Sequence, residues 1–394
     1  YNMTVPLGSC NLIYNTLQDS LTFVKNTPNT ALNAEEIETL HAQGVYINQD
    51  VDERLVFRYR ANLQKYRSTR LHLFLTITGN CNCDCQYCFA KGCFPNRSMI
   101  DKDIPYVLEF AESQLCSHPI REMHIDFFGG EPFLCESLYT RLMRELTKIG
   151  EKYNIIPSFQ FYTNGTIVPK NGYEMFSEFE NVKFLITLDG LKSVHDVLRP
   201  MKSNESCYDT IVNNLKEIRK ANQKAVIRIN YGKSSYARVP LLLDELIRQG
   251  LTCFPIEFYP IQNMSNSSAD FDDAVKVGDL PNLNEYLWRA AANRNIPVSI
   301  RPVTANCYCS AFTGTMFVID PDLDVYKCAL LQCEKKYSIG NLKQRTDFQT
   351  DSVFYDWLTY DPSMEDNCKD CISLPVCAGG CGGSGTFRFG TQHH

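Results

Sequence analysis

Between residues 70 and 300 the sequence alternates short apolar, β-rich runs with longer amphipathic stretches, and this alternation constrains the fold most strongly. The runs predict six strands, at 71–78, 123–128, 158–163, 182–188, 225–231 and 254–261. Apolar residues three or four positions apart predict helices between them, at 104–116, 136–153, 208–221, 239–249 and 280–293. Six βα units in series predict an α/β fold built on a parallel sheet or barrel.

Small and polar residues follow each of the first four predicted strands. They are a cysteine-rich loop, then Gly129-Gly130-Glu131-Pro132, Asn164-Gly165-Thr166 and Asp189-Gly190. Because the carboxyl ends of parallel strands lie on one rim of a barrel, where active sites gather, these segments are expected to lie close together. The sequence therefore predicts a functional site at this rim.

The loop after the first strand contains Cys81, Cys85 and Cys88 in a CxxxCxxC pattern. Three thiolates with this spacing can hold three irons of a 4Fe-4S cube and leave the fourth iron open for chemistry. Zinc loops also gather closely spaced cysteines, and Cys83 and Cys93 crowd the same stretch. Spacing alone favours the iron-sulfur cluster and leaves zinc open.

A second group of cysteines lies near the C-terminus in a CxxCxxxxxCxxxC pattern. Its members are Cys368, Cys371, Cys377 and Cys381, and further cysteines lie upstream at Cys307, Cys309, Cys328 and Cys333. A zinc knot is nearly as compatible with the spacing as an iron-sulfur cluster. The upstream cysteines supply more ligands than one zinc site can use, which favours iron-sulfur ligation.

Composition excludes several classes of partner. The net charge of −6 provides no basic surface for nucleic acid. No apolar run approaches the ~18 residues that span a bilayer. The 18 cysteines concentrate at metal-ligand spacings and no export signal is visible, which favours a reducing, cytoplasmic environment.

The first cysteine loop, with Tyr87 just before its last cysteine and Phe89 just after it, resembles the signature of the radical S-adenosylmethionine (SAM) enzymes. The resemblance implies a partial (β/α)6 TIM-like barrel. It also implies that Cys81, Cys85 and Cys88 hold a catalytic 4Fe-4S cluster whose open iron chelates SAM. An electron from that cluster cleaves SAM to a 5′-deoxyadenosyl radical in this family. A flavodoxin- or ferredoxin-type protein is the expected electron donor.

Further contacts to SAM follow from the same resemblance. Gly129, Gly130 and Glu131 match the family's Gly-Gly-Glu segment, whose carboxylate contacts the amino group of SAM. Asn164, Thr187 and Arg199 are expected to reach the ribose and carboxylate, and Tyr87 to border the cofactor. By contrast, His195 is expected to be a surface or helix-capping group.

The second cysteine group, together with Asp324-Val325-Tyr326-Lys327-Cys328 and Ile339-Gly340-Asn341-Leu342, resembles the SPASM domain of radical SAM enzymes that modify peptides and proteins. The resemblance implies two auxiliary 4Fe-4S clusters, and three clusters in all. Cys328 and Cys381 with Cys309 or Cys307 would hold one cluster, and Cys368, Cys371 and Cys377 the other. The family has a further cysteine after the one that matches Cys381, and this sequence lacks it. Three explanations stay open: the true chain continues beyond His394, Cys333 takes the place of that cysteine, or one iron of the second cluster has no cysteine ligand.

Three domains are expected, at 1–69, 70–300 and 301–394. In the first, strands are predicted at 11–15 and 21–25, a helix from Asn33 to Gly44 and a strand at 45–47. An exposed strand edge in such a small α+β unit could bind an extended leader peptide. A structural brace is an equally good interpretation of this unit.

The predicted function is a radical SAM oxidoreductase that matures a ribosomally made precursor peptide, forming a crosslink that is expected to be a cysteine thioether. Anaerobic sulfatase maturation is the first alternative. In that group the residue after the cysteine that matches Cys328 is an aspartate base, whereas this chain has Ala329. A non-catalytic electron-transfer protein is an alternative of another class, and it would need the cysteines but not Glu131.

Overall fold

The computed structural model of the chain describes residues 1–25, 32–263, 271–299, 308–344, 348 and 351–390. These residues divide into two compact units. The first contains 1–68, 308–314 and 355–390, and the second contains 69–299 and 315–354. Within the described residues, no helix is long and apolar enough to cross a membrane.

The first unit opens with a three-stranded antiparallel sheet of order β1-β2-β3, followed by two helices. The bounds are β1 Asn2–Leu7, β2 Cys10–Asn15, β3 Ser20–Lys25, α1 Ala34–Ala42 and α2 Glu53–Tyr66. The predicted strands at 11–15 and 21–25 and the predicted helix are confirmed. Asn33 caps α1 because its side chain accepts from the Glu36 N–H while the Glu36 carboxylate accepts from the Asn33 N–H.

The predicted strand at 45–47 is wrong. Both Val45 and Tyr46 donate their N–H to the carbonyl of Leu40, so the backbone closes the end of α1 and has no strand partner to pair with. The apolar residues that suggested a strand belong to this turn.

The second unit is built on parallel strands, as the alternation predicted. They are β4 Arg70–Thr78, β5 Glu122–Gly129, β6 Ser158–Thr163, β7 Asn181–Thr187, β8 Lys224–Tyr231 and β9 Ile256–Pro260. Each strand pairs in parallel with the next one along the chain. Six adjacent parallel strands with helical crossovers confirm the α/β, partial-barrel fold.

Helices cover the outer face of these strands. They are α3 Ile104–Ser117, α4 Glu136–Lys152, α5 Lys192–Leu198, α6 Cys207–Lys220, α7 Val239–Arg248 and α8 Leu280–Ala292. Each of the long helices turns an apolar stripe inward; α4, for example, buries Leu142, Leu146 and Ile149. Phe127, Phe161 and other aromatic residues fill the layer beneath, with the rings of this pair 4.8 Å apart.

Three further strands extend the sheet beyond β4. They are β10 Met316–Ile319, β11 Asp324–Tyr326 and β12 Gly340–Asn341, and the full order is β12-β11-β10-β4-β5-β6-β7-β8-β9. The first of them runs parallel to β4, and the other two pair antiparallel. Residues 315–354 therefore belong to the same compact unit as the barrel strands, although the sequence assigned them to a C-terminal domain.

The C-terminal helices are α9 Ser352–Thr359, α10 Leu374–Cys377 and α11 Gly382–Phe389. In the first unit α11 packs closely on aromatic rings. A Cβ at Gly382 would lie 2.5 Å from the Phe312 ring and 2.9 Å from the Trp357 ring, so only glycine fits there.

Candidate active site

The loop that follows β4 carries Cys81, Cys85 and Cys88 and is pinned by its backbone to the segment after α5. The pairs are Asp84 N to Pro200 O (2.8 Å), Gln86 N to Leu198 O (3.0 Å) and Lys202 N to Asn82 O (2.9 Å). This pairing fixes a loop that would otherwise have no regular structure. The three predicted ligands thus lie on the expected rim.

The three thiols lie in an environment that disfavours a lone thiolate. Burial raises the pKa of Cys85 to about 12 and also raises that of Cys88. A hydrogen bond with Cys83, together with burial, raises the pKa of Cys81. Because metal ligation requires the thiolate, a bound cation must replace these protons, and the sulfur donors fit a soft metal centre.

The spacing of the sulfurs separates a cluster from a single zinc ion. Four sulfurs around one zinc lie about 3.8 Å from each other, as Zn–S bonds of about 2.3 Å require. Among the described residues, no three cysteines bring their sulfurs within 4.8 Å of one another. An iron-sulfur cube spreads its cysteine ligands more widely than one ion does, so the arrangement fits the cube better.

Gly129 and Gly130 lie directly against the start of the cysteine loop. A Cβ at Gly129 would be 2.2 Å from the carbonyl oxygen of Thr78, and a Cβ at Gly130 would be 2.2 Å from that of Asn80. Gly129 also has φ +153°. Glycine is required at both positions because backbone approaches backbone, which sets the height of the cysteine loop above the strand ends.

Glu131 is fully buried beside these glycines. Its Oε1 accepts from the Phe133 N–H (3.0 Å) and the Thr163 hydroxyl (2.8 Å), and its Oε2 accepts from the Asn164 N–H (2.7 Å). Burial outweighs these donors and raises the pKa of the carboxyl to about 7. Since a carboxylate offers about four acceptor positions, one stays open for a further donor such as an ammonium group.

Asn164 reaches from the end of β6 into the cysteine loop. Its Nδ2 donates to Asn82 Oδ1 over 2.8 Å and lies 3.4 Å from the sulfur of Cys83 and 3.8 Å from that of Cys81. Its Oδ1 accepts from the N–H and hydroxyl of Thr166. The side chain therefore holds the cysteine loop, and hydrogen bonds to cluster sulfurs tune the cluster's potential.

Tyr87 lies at the centre of a buried polar network. Its hydroxyl donates to Asp189 and accepts from Arg199 Nη1 (2.8 Å) and Asn230 Nδ2 (3.0 Å). The Asn230 N–H also donates to Asp189 over 2.9 Å. The sequence placed Asp189 on the rim without assigning it a role, and it missed Asn230, although a polar residue at the end of β8 was a visible signal.

The buried Nε of Arg199 has no hydrogen-bond partner among the described residues. Its positive charge acts on Cys85 and Cys88, lowering the pKa of both thiols against the larger effect of burial. An unpaired N–H beside the cluster ligands fits a bound acceptor. Thr187 lies at the end of β7 and is partly buried, and its contact to the cofactor stays a prediction.

His195 is completely buried, so the prediction of a surface or capping group is wrong. Its Nδ1 accepts from the Asp189 N–H (3.0 Å) and its Nε2 lies 3.4 Å from the sulfur of Cys207. Burial lowers its pKa well below the ordinary value, so the ring is neutral. Its role is to hold the turn that carries Asp189.

The interior of the barrel beneath the site is packed with aromatic and paired charged side chains. Phe89 of the cysteine loop stacks on Phe128 with ring centroids 5.7 Å apart. Arg228 forms an ion pair with Glu257 (3.0 Å) and lies 5.6 Å from the Tyr162 ring. Such a lining is dry and stiff, which suits reactive intermediates that water would quench.

Cys333 forms a disulfide with Cys93. A disulfide sulfur is not a thiolate ligand, so Cys333 could bind a metal only with this bond reduced, and its role as a ligand stays a prediction. The bond links the end of the cysteine loop to the segment after β11.

The expected ligands of the first auxiliary cluster are divided between the two units. Cys328 belongs to the second unit, and Cys309 and Cys381 belong to the first. Cys307 lies outside the described residues. This ligand set stays a prediction.

The ligands expected for the other auxiliary cluster lie together in the first unit. Burial raises the pKa of Cys368, and the nearby thiols of Cys377 and Cys371 add to this rise. Backbone N–H groups of Gly379 and Gly380 donate to the sulfur of Cys377. Backbone donors to cysteine sulfur are typical of iron-sulfur ligation.

The sequence model of the radical SAM superfamily matches residues 75–238, the segment that contains the cysteine loop, Glu131 and Arg199. This segment is a radical SAM domain. Enzymes of this superfamily use a 4Fe-4S cluster and SAM, and the donor set at the rim fits both groups.

Two relatives are similar in sequence. The cysteine-type anaerobic sulfatase-maturating enzyme of Clostridium novyi is 24% identical over 329 residues, which cover 78% of this chain and 87% of the relative. The sporulation killing factor maturation protein SkfB of Bacillus subtilis is 22% identical over 180 residues, 46% of this chain and 40% of the relative.

Solved structures confirm the fold. The chain resembles anSMEcpe with bound AdoMet and Kp18Cys peptide, with a TM-score of 0.64, 19% identity and coverage of 80% of this chain and 90% of that one. It also resembles Streptococcus suis SuiB bound to precursor peptide SuiA, with a TM-score of 0.60, 14% identity and coverage of 100% of this chain and 98% of that one. At these identities the similarity concerns the fold alone.

Proposed function

We propose that this radical SAM enzyme is a SPASM-type maturase that forms a thioether between a cysteine sulfur and a carbon of a ribosomally made precursor peptide. The proposal rests on the rim site and on Ala329. The methyl group of Ala329 packs on the apolar cluster that contains Phe74 and Tyr326. An apolar side chain cannot act as the base expected at this position in sulfatase maturation, so the site favours crosslinking.

The proposed roles of the residues follow from their positions. Cys81, Cys85 and Cys88 ligate the cluster, whose chemistry with SAM supplies the hydrogen-abstracting radical. Glu131 would accept from an N–H of the SAM amino group through its open acceptor position, and Arg199 would offer its Nε–H to a cofactor acceptor. Asn164 holds the cysteine loop in place.

The cysteine-rich C-terminal segment explains why the substrate is proposed to carry a thiol. Thiolates are soft ligands that prefer iron-sulfur and zinc centres. If Cys368, Cys371 and Cys377 hold three irons of a cube, an open fourth iron could bind the substrate sulfur. Closing each thioether removes two hydrogens from the peptide. One would leave as a hydrogen atom to the deoxyadenosyl radical, and the other as a thiol proton and an electron that an auxiliary cluster would accept.

We further propose that β3 binds the leader of the precursor. Among the described residues this strand pairs with β2 alone, so one backbone edge can accept an added strand. Leu21 and Phe23 are 58% and 65% exposed on one face of β3, where they can contact side chains of the leader. A flavodoxin- or ferredoxin-type donor in a reducing cytoplasm would complete the system.

Product analysis tests the proposal. The reduced holoenzyme is incubated with SAM and a cysteine-containing candidate precursor, and the peptide is examined by mass spectrometry before and after alkylation. We expect a loss of about two mass units per crosslink and one thiol that no longer alkylates. A peptide whose thiols all alkylate would contradict the assignment.

Anaerobic sulfatase maturation is the second candidate, supported by the similarity to the Clostridium novyi enzyme. It would convert a cysteine or serine of the substrate to an aldehyde. The same mass spectra, recorded after treatment with an aldehyde-reactive hydrazine, distinguish the two reactions. An Ala329→Asp variant is a matched control, because a gain of aldehyde formation would show that only the base is missing.

A further inference from the structure

A cluster of two imidazoles and a carboxylate lies at the opposite end of the barrel strands from the rim. His72 is the third residue of β4 and pairs in register with His124, the third residue of β5. Asp126 follows two residues along β5, so its side chain is on the same face as that of His124. Gly129 lies five positions after His124 and three after Asp126, which places the cluster about 10–16 Å from the rim.

The three side chains converge on one point. The Nε2 atom of His72 lies 2.7 Å from Asp126 Oδ2, and the Nε2 atom of His124 lies 3.1 Å from Asp126 Oδ1. One ligand atom from each residue lies within 4.8 Å of the other two. Around a tetrahedral zinc ion, imidazole nitrogen and carboxylate oxygen lie about 3.3 Å apart, so shifts of a few tenths of an ångström would admit the ion.

Outer partners orient these ligands as in known metal sites. The Nδ1 atom of His124 lies 2.7 Å from the hydroxyl of Ser158, which leaves Nε2 to face the cluster. Gln160 Nε2 donates to Asp126 Oδ1 over 3.2 Å. Metal-ligating histidines and carboxylates are regularly held by such second hydrogen bonds.

One side of the cluster is open to solvent. The histidine side chains are 17% and 15% exposed, so water can reach the open side of the cluster.

We propose that His72, His124 and Asp126 bind a divalent first-row transition metal whose remaining coordination is completed by water. Imidazole and carboxylate donors select such ions, whereas the thiolates of the rim select iron-sulfur clusters. The bound metal pins β4 to β5, the two strands that carry the cysteine loop and Glu131 at their other ends. It therefore stabilises the scaffold without taking part in the radical chemistry.

Zinc binding to the cluster-loaded protein tests this site. The holoenzyme is equilibrated with zinc, excess metal is removed with a weak chelator, and zinc is counted and examined by K-edge absorption. We expect about one zinc per chain with only nitrogen and oxygen neighbours at about 2.0–2.2 Å. Asp126→Asn and His124→Asn should lose this zinc, whereas His118→Asn, outside the cluster, should keep it.

A milder variant, Ser158→Ala, tests the site even if the ligand variants fail to fold. Ser158→Ala removes only the outer hydrogen bond, and we expect it to fold and to bind zinc about 10- to 100-fold more weakly. Zinc should also raise the unfolding temperature of the wild type but not that of His124→Asn. Sulfur neighbours at about 2.3 Å, or equal zinc affinity in the wild type, Ser158→Ala and His124→Asn, would overturn the proposal.

Discussion

The guanidinium of Arg199 donates from Nη1 to the hydroxyl oxygen of Tyr87 over 2.8 Å. The sequence suggested that each side chain contacts the cofactor on its own, but the structure makes them partners. Their bond ties the cysteine loop to the segment after α5. It also holds the arginine charge near Cys85 and Cys88, where it favours the thiolate forms.

Tyr87→Phe tests the importance of this network. The variant leaves Arg199, Asp189 and Asn230 without their shared partner in a buried site. We expect the free energy of unfolding to fall by about 1–3 kcal/mol, because buried polar groups lose their hydrogen bonds. Chemical denaturation of the holoenzyme measures this loss. Tyr106→Phe, at an exposed position, is the matched control and should be neutral.

Glu131 predicts a pH dependence of SAM binding. Burial raises its pKa to about 7 in the free enzyme, and the ionised carboxylate is the stronger acceptor for the N–H groups of the SAM amino group. Affinity should therefore be constant above about pH 7 and fall by up to tenfold per unit below it. Equilibrium binding to the reconstituted enzyme checks this profile.

Two variants control the pH experiment. Glu131→Gln should bind SAM more weakly with an affinity that no longer changes with pH, because the titrating group is gone. Glu151→Gln, an exposed residue of α4, should keep the wild-type profile. A pH-dependent profile in Glu131→Gln would assign the titration to another group.

The disulfide predicts equal effects of Cys93→Ser and Cys333→Ser. If the two cysteines pair only with each other, both variants should keep the iron content and SAM cleavage of the wild type. If Cys333 were an auxiliary ligand, only Cys333→Ser would lose iron. Iron analysis after anaerobic reconstitution distinguishes these outcomes.

The β3 edge predicts separable effects on peptide binding and on chemistry. Leu21→Asp and Phe23→Asp should weaken binding of the precursor about tenfold, or about 1.4 kcal/mol, if the leader lies on this strand. Cleavage of SAM without peptide should not change. Ile37→Asp, on the exposed face of α1, is the control. Equal binding in all three variants would leave the structural brace as the function of this unit.

Much of the fold was predictable because periodicity records burial directly. The runs at 71–78 and 158–163 differ from β4 and β6 by at most one residue at an end. The polar residues after each strand also located the rim, since parallel strands bring their carboxyl ends together. The cysteine spacing identified the three candidate ligands because all three lie close together in sequence, in one short loop.

The remaining features depend on contacts distant in sequence. No local pattern shows that Cys93 pairs with Cys333, that β10 adds to the edge of β4, or that Tyr87 receives Asn230 as a partner. The helix α2 was missed because it lies outside the alternating region that organised the prediction. His195 looked like a surface group because a single polar residue does not reveal its tertiary burial.

Cleavage of SAM by the wild type and by Cys81→Ala/Cys85→Ala/Cys88→Ala tests the central claim most directly. The reconstituted wild type should hold about twelve irons in three 4Fe-4S clusters and form 5′-deoxyadenosine when reduced. The triple variant should form none and keep about eight irons, because the auxiliary ligands are separate residues. Cys116→Ala/Cys253→Ala should match the wild type. Deoxyadenosine from the triple variant, or a wild type rich in zinc and poor in iron, would contradict the account.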